Sequence, residues 1–138
     1  MKAICKSASF EIPASVVTRA LDVKTYRYNV VPGKIYVALG VSFVRDSSAF
    51  GTTVLLEIFD ETEYLMSIPS ELFEIIDARV SRFWHARDYG LGVFAVWPPL
   101  FFEESFHEKL ADRDPGAMTL ITLLLRKLSE EFQETDHG

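Results

Sequence analysis

The chain has 138 residues, 49% of them hydrophobic and 25% charged, and a formal net charge of −6. This length and hydrophobic content predict a single domain over residues 1–138 that buries its own core, and the one cysteine, Cys5, excludes an internal disulfide. Because the N-terminus lacks a secretory signal and no apolar run approaches the roughly 20 residues of a membrane span, the sequence predicts a cytoplasmic protein with no membrane contact.

The first half of the chain predicts strands. Residues 1–12 alternate weakly between apolar and polar side chains and are a strand candidate, whereas residues 14–21 are either a short helix or irregular. Residues 34–43 are the clearest strand, because they are rich in β-branched and aromatic side chains and follow a Pro-Gly turn signal. Residues 52–59 can return antiparallel as the hairpin partner, and residues 64–68 can add a third strand.

A change of hydrophobic period at Ile68, from two to about 3.6, predicts a helix over residues 69–83. Pro69 has the fixed φ angle that suits a first helical turn. Glu71 and Glu74 would lie near the helix N-terminus, where the macrodipole favours negative charge. One face of this helix would enter the core and the acidic face would meet solvent.

The last third of the chain predicts one more strand and two helices. Residues 92–97 return to a strand pattern, and residues 103–110 predict a short helix. Asp114 and Pro115 form an N-cap and first-turn pair that predicts a long helix through about residue 133. Strands followed by helices, with short turns between them, predict an α+β fold in which an antiparallel sheet carries helices packed mainly on one face.

No catalytic motif stands in the structural context that it requires. Residues 90–95 match the relaxed dinucleotide fingerprint, but they open a strand, so a hairpin turn that uses the glycines for unusual dihedral angles explains them better. Glu103 and His107 have metal-ligand spacing on a helix but lack a third ligand. His85 with Asp88 is either a polar turn or a general base oriented by a carboxylate. We therefore expect no enzyme activity, no bound metal and no cofactor.

Two further patterns keep alternatives open. Basic residues interleaved with tyrosines in the N-terminal third are typical of nucleic-acid binding, but the net charge of −6 opposes that partner, and we expect none. The densest aromatic group predicts a core with a partly exposed tip, and an interface anchor is the alternative. The members of this group are Phe83, Trp84, Trp97, Phe101 and Phe102.

The acidity of the chain is concentrated in one segment. Eight acidic residues and no Lys or Arg lie between Asp46 and Ala78, whereas the first 45 residues carry a net charge of +5. A concentrated acidic surface attracts a basic partner, although a solvated flank that only aids solubility is the alternative. The predicted partner-binding residues are Asp60, Glu61, Glu63, Glu71, Glu74 and Asp77.

Residues 34–128 resemble small immunity proteins of bacterial toxin systems, including those of contact-dependent growth inhibition. The resembling features are the strand pair, residues 68–77, the Phe83-Trp84 pair and residues 106–110. The resemblance transfers no functional residue. It implies a cytoplasmic binder that neutralises a cognate protein toxin, often a basic nuclease, by covering its active site. An acidic secretion chaperone and a small ligand-binding or enzyme domain are the alternatives.

Overall fold

The computed structural model describes residues 1–11, 25–47 and 50–133, so the prediction for residues 14–21 lies outside the described residues. Within these ranges the chain forms ten strands and two α-helices. The strands are β1 (Lys2–Cys5), β2 (Ser9–Glu11), β3 (Thr25–Arg27), β4 (Ile35–Val37), β5 (Gly40–Ser47), β6 (Gly51–Phe59), β7 (Leu65–Pro69), β8 (Phe73–Asp77), β9 (His85–Gly90) and β10 (Val93–Trp97). The helices are α1 (Phe106–Ala111) and α2 (Pro115–Glu130).

Two places where the chain passes from one sheet to another close the strands into a small barrel. The predicted strand over residues 34–43 divides into β4 and β5, because the Ala38 N–H donates to Met1 O at 3.0 Å while the Leu39 N–H donates to Glu57 O at 2.8 Å. Likewise, β7 passes into β8 through the 3-10 turn Ser70–Leu72. The antiparallel sets β4-β1-β8 and β5-β6-β7 therefore meet at both ends, and the pairings run in a ring.

Two antiparallel strand pairs extend this ring. In the first pair, β2 runs antiparallel to β3, and Phe10 of β2 packs in the barrel cluster. The second pair is a hairpin that joins β9 to β10, and because β10 pairs with β5, β9 becomes the edge of a five-stranded sheet. The turn of this hairpin is Gly90, Leu91 and Gly92, and all three have positive φ angles. The prediction that the glycines serve a hairpin turn is therefore confirmed.

Two apolar clusters stabilise the fold. Successive side chains of a strand point to opposite faces, so neighbouring Ala38 and Leu39 contribute to different clusters. The barrel cluster includes Tyr36, Leu56, Ile58, Ile68 and Phe73. The helical cluster joins Leu39 to side chains of the helices and the segment before them, among them Phe101, Phe106, Leu110, Ile121 and Leu128.

The two helices form where the sequence predicts them. The Asp114 carboxylate accepts the Ala117 N–H at 3.0 Å, and Pro115 occupies the first turn, so α2 begins at its predicted cap and ends at Glu130. In the part of the chain that the structure describes, neither helix has the length and apolar character needed to cross a membrane. The prediction of an antiparallel α+β fold is confirmed.

The predicted helix over residues 69–83 is wrong. After the 3-10 turn Ser70–Leu72 the chain enters β8, which pairs with β1. Pairing with a distant strand satisfies the backbone of this β-branched segment and overrides its helical period. As a consequence Ile76 and Val80 are 49% and 63% exposed.

Candidate functional site

Asp60 is one of the six predicted partner-binding residues, but it is only 6% exposed. Its Oδ1 accepts hydrogen bonds from the Thr62 N–H at 2.9 Å, the Thr62 hydroxyl at 2.6 Å and the Tyr64 N–H at 3.1 Å. These bonds close the turn between β6 and β7. Asp60 is therefore mostly buried, and its carboxylate is used by its own turn.

Glu61 and Asp77 are balanced by cations of the same chain. Glu61 accepts from Lys34 Nζ at 2.5 Å and from the Tyr36 hydroxyl at 2.6 Å, and these hydrogen bonds, that from Lys34 foremost, lower the pKa of Glu61. Arg79 Nη2 donates to Asp77 at 2.6 Å, and the hydrogen bonds from the Arg79 guanidinium hold the pKa of Asp77 well below its usual range. Neither carboxylate presents a full unbalanced charge to a partner.

The remaining three predicted residues are exposed. The Glu63 carboxylate lies 3.9 Å from Arg113, and the Thr53 hydroxyl donates to Glu71 at 2.8 Å. Within the described ranges, no Lys or Arg lies at ion-pair distance from Glu71 or Glu74. The structure thus brings Glu71 and Glu74 onto adjoining elements, the 3-10 turn and β8, and places Glu63 in the turn between β6 and β7.

Glu57 is a buried carboxyl group that sequence reasoning counted as part of the acidic segment. It is 4% exposed, and the hydroxyls of Ser42 and Ser67 lie 2.8 Å from its oxygens. Trp97 Nε1 donates to the Ser42 hydroxyl at 2.9 Å, which completes the network. Burial raises the pKa of Glu57, and the two serine hydrogen bonds oppose that rise without cancelling it. A Cβ atom at Gly40 would lie 2.8 Å from Trp97 Cδ1, so the network is tightly packed.

The alternation of side chains along β6 gives a sequence signal that Glu57 is buried. Glu57 lies between Leu56 and Ile58, which face the barrel, and it shares the other face with Leu55 and Phe59. A carboxyl group with apolar neighbours on both faces of its strand is a candidate for burial. The network is enclosed and has no cation, so it stabilises the packing of β5, β6, β7 and β10.

A groove of about 600 Å³ lies where β5, β6 and the β9-β10 hairpin end together. Phe43 and Phe94 are direct cross-strand partners on its floor, with ring centroids 6.1 Å apart in an edge-to-face arrangement. They are 45% and 40% exposed, and Leu91 at the hairpin tip is fully exposed. We call this surface, defined by Phe43, Leu91 and Phe94, the hairpin groove.

Charged side chains surround the hairpin groove. Arg45 and Asp88 line it, and the wall residue Thr53 holds Glu71. The exposed Asp46 adjoins it, since its N–H donates at 3.0 Å to the hydroxyl of Thr52, another wall residue. An apolar floor with an excess of carboxylates at its border is suited to bind a protein segment that carries basic residues.

The residue pairs that the sequence suggested as metal ligands or as a general base with its carboxylate do not form such sites among the described residues. His107 Nε2 lies 3.2 Å from Phe101 O, and among the described residues no group of three His, Cys, Asp or Glu side chains converges on one point. His85 and Asp88 are three residues apart on β9, so they point to opposite faces of the sheet. Asp88 therefore does not orient His85 here, and the polar-turn interpretation is wrong because these residues form β9.

The predicted aromatic group divides between the two clusters. Phe101 is buried in the helical cluster with Trp97 and Phe83 packed against that cluster, whereas Trp84 packs against the barrel cluster. Phe102 forms the outward part, where the Arg87 guanidinium lies 5.3 Å from its ring centroid. Phe101 is thus a core residue and the other four are half-buried, whereas the alternative role as an interface anchor stays a prediction. The hairpin groove is a separate aromatic surface that sequence reasoning missed, because Phe43 and Phe94 meet only through strand pairing.

Known proteins give no assignment for this chain. Neither the protein-family models, the curated proteins nor the solved structures contain a match to it. The function of the chain therefore rests on the surfaces described above.

Proposed function

We propose that this chain is an immunity-type binding protein, which neutralises a cognate basic bacterial toxin by covering it with an acidic surface. The observation that supports this proposal is the pair Glu71 and Glu74. Both are exposed, both lie on adjoining elements, and no Lys or Arg of the described ranges balances either carboxylate.

The physical reason is electrostatic complementarity. Like charges held near each other repel in the free protein, whose net charge is −6. A basic partner relieves this repulsion, accelerates the encounter and discriminates against acidic competitors. Glu63 adds a third exposed carboxylate, although Arg113 lies near it.

An apolar contribution accompanies these charges on β8. Ile75 and Ile76 are 39% and 49% exposed and lie between Glu74 and Asp77. Exposed aliphatic side chains beside carboxylates favour a protein partner over a small ion, because they contribute desolvation on contact. Binding of a protein partner thus accounts for the exposed carboxylates and isoleucines of β8 without any catalytic activity.

The test measures association with the polypeptide encoded by the neighbouring reading frame. In the double variant Glu71→Lys and Glu74→Lys, we expect association at least tenfold slower and a flatter dependence of its rate on salt, because the steering charge is reversed. The matched control is Glu103→Lys with Glu104→Lys, which makes the same net charge change at exposed residues just before α1.

Equal slowing in the control pair would assign the effect to net charge alone, and unchanged binding in both pairs would contradict the proposed surface. Growth of cells that express the neighbouring polypeptide should also be rescued by the wild-type chain and less by the double variant. A homodimeric mass together with no binding would favour the secretion-chaperone alternative.

A further inference from the structure

We infer that the hairpin groove is the apolar centre of partner docking. It seats an aliphatic or aromatic side chain, flanked by Lys or Arg, against Phe43 and Phe94, while Leu91 enters the partner. The inference rests on the proposed function for the class of partner, a basic protein.

Leu91 has a strained backbone conformation, and its exposed side chain gives the free protein no packing energy in return. Its φ angle is +51°, a left-handed conformation that disfavours side chains with a Cβ atom, and its side chain is fully exposed. Glycine or asparagine would suit this turn position better. A leucine that is both strained and exposed contributes nothing to the core, but it is suited to fill a pocket on another protein.

Phe43 and Phe94 continue two strand faces that are covered elsewhere. Val41 lies two residues before Phe43 on the same face of β5, and it is only 6% exposed. Val96, on the same face of β10 as Phe94, is half-buried. The barrel cluster therefore covers this face of the sheet at Val41 but not at its end, where the rings of Phe43 and Phe94 are exposed. Aromatic side chains at such a position supply large contact area when a partner desolvates them.

The charges around the groove select the occupant. Asp46, Asp88 and Glu71 lie in or beside its walls, against one described lining cation, Arg45. An excess of carboxylates repels a phosphate backbone and attracts Lys and Arg side chains. A basic protein segment with a central apolar side chain matches both the floor and the border of the groove.

The hairpin is held in place before binding. The Arg45 N–H donates to Gly92 O at 2.8 Å, and a Cβ atom at Gly92 would lie 2.5 Å from Arg45 O. The Asp88 carboxylate accepts the Gly90 N–H at 2.8 Å. Because these contacts fix the turn, the groove is ordered before the partner arrives, which lowers the entropic cost of docking.

The test titrates the isotopically labelled full chain with three short peptides and follows backbone amides by NMR. The peptides carry a central Trp flanked by Lys, a central Ala flanked by Lys, and a central Trp flanked by Glu. We expect the Lys-flanked Trp peptide to shift amides of residues 43–45 and 88–94 and to bind at least tenfold tighter than the other two.

Two variants locate the contact. Phe94→Thr removes the ring but keeps a good strand former, and it should lower the affinity for the Lys-flanked Trp peptide at least tenfold. The control Leu123→Thr removes an exposed leucine of α2 and should leave this affinity unchanged. With the neighbouring-frame polypeptide, Leu91→Asn should raise the dissociation rate at least tenfold while the melting temperature stays equal or rises, since asparagine tolerates the left-handed turn.

Equal affinity for all three peptides, or shifts confined to other amides, would overturn the inference. The inference would also be overturned if a single-stranded oligothymidine shifted the same amides equally well, which would assign the groove to nucleic acid. Concentration-dependent shifts of these amides in the free chain would overturn it too, because they would assign the groove to a second copy of the chain. If the polypeptide binds normally to the Leu91→Asn variant, the groove inference fails and the proposed function stands. If the peptide docks but the polypeptide does not bind the chain, the proposed function fails instead.

Discussion

Glu57 illustrates how a residue that counts as an acid in the sequence can be buried away from solvent in the structure. The carboxyl group is enclosed by apolar strands, accepts hydrogen bonds from Ser42 and Ser67, and has a raised pKa because burial disfavours its charged form. In the unfolded chain the same group ionises near its ordinary value of 4.5. Folding above that pH therefore requires the chain to retain a proton or to bury a charge.

This difference predicts a pH-dependent effect of Glu57→Gln. Wild-type stability contributed by this group is complete below the unfolded pKa and is lost as pH rises toward the raised folded pKa, by up to about 1.4 kcal/mol per pH unit. The neutral amide avoids that loss: its oxygen can accept from the Ser42 hydroxyl, and its nitrogen can donate to the Ser67 hydroxyl oxygen. In urea unfolding, the variant should match wild type near pH 4 and become progressively more stable than wild type above it. A variant that is equally destabilised at every pH would contradict a raised pKa of the buried Glu57 carboxyl group.

Arg113 acts at the scale of elements, because it connects the helices to the barrel. Its guanidinium donates to the carbonyls of Thr62 and Glu63 in the turn between β6 and β7, and it lies 4.0 Å from the ring centroid of Tyr64. The residue itself has a left-handed backbone in the short connection between α1 and α2. The same turn is closed from inside by Asp60.

Arg113→Ala should therefore loosen the helices from the barrel. We expect a loss of about 1 kcal/mol in the free energy of unfolding, since two charge-assisted hydrogen bonds and a ring contact disappear from a partly exposed site. Hydrogen exchange should accelerate at amides of α1 and of the start of α2. The matched control is Arg126→Ala, at an exposed position on α2. Similar exchange rates in the two variants would contradict the proposal that Arg113 connects the helices to the barrel.

The whole molecule depends on strands that serve both apolar clusters. Ala38 and Leu39 are neighbours in the junction between β4 and β5, yet the first packs in the barrel cluster and the second in the helical cluster. Trp84 packs against the former cluster and Trp97 against the latter. Separating the clusters would uncover Leu39, which is fully buried, so we expect them to unfold together.

Single-tryptophan variants test this cooperativity. Trp97→Phe leaves Trp84 to report on the barrel cluster, and Trp84→Phe leaves Trp97 to report on the helical cluster. Within each variant, the fluorescence midpoint in urea should coincide with the midpoint by far-ultraviolet circular dichroism. A fluorescence transition that precedes the circular dichroism transition in either variant would show that its cluster opens separately.

Elements whose signals are local were predicted from the sequence, and elements that depend on a distant strand were not. The cap Asp114, the first-turn Pro115 and the apolar period after them lie within one segment, so α2 was predicted at its N-terminus. The glycine turn before β10 was read in the same way. Residues 73–77 carry a helical period, but β1 provides backbone hydrogen bonds that the period does not anticipate.

The antiparallel α+β class, the net charge of −6 and the concentration of carboxylates between Asp46 and Ala78 follow from the amino-acid sequence alone. Which carboxylates face solvent depends on the fold, which buries Glu57 and Asp60 and leaves Glu71 and Glu74 exposed. A side chain's charge and period belong to its own segment, whereas its burial and partners depend on strand register. Phe43 and Phe94 lie 51 positions apart and form one surface only because β5 pairs with β10 in that register.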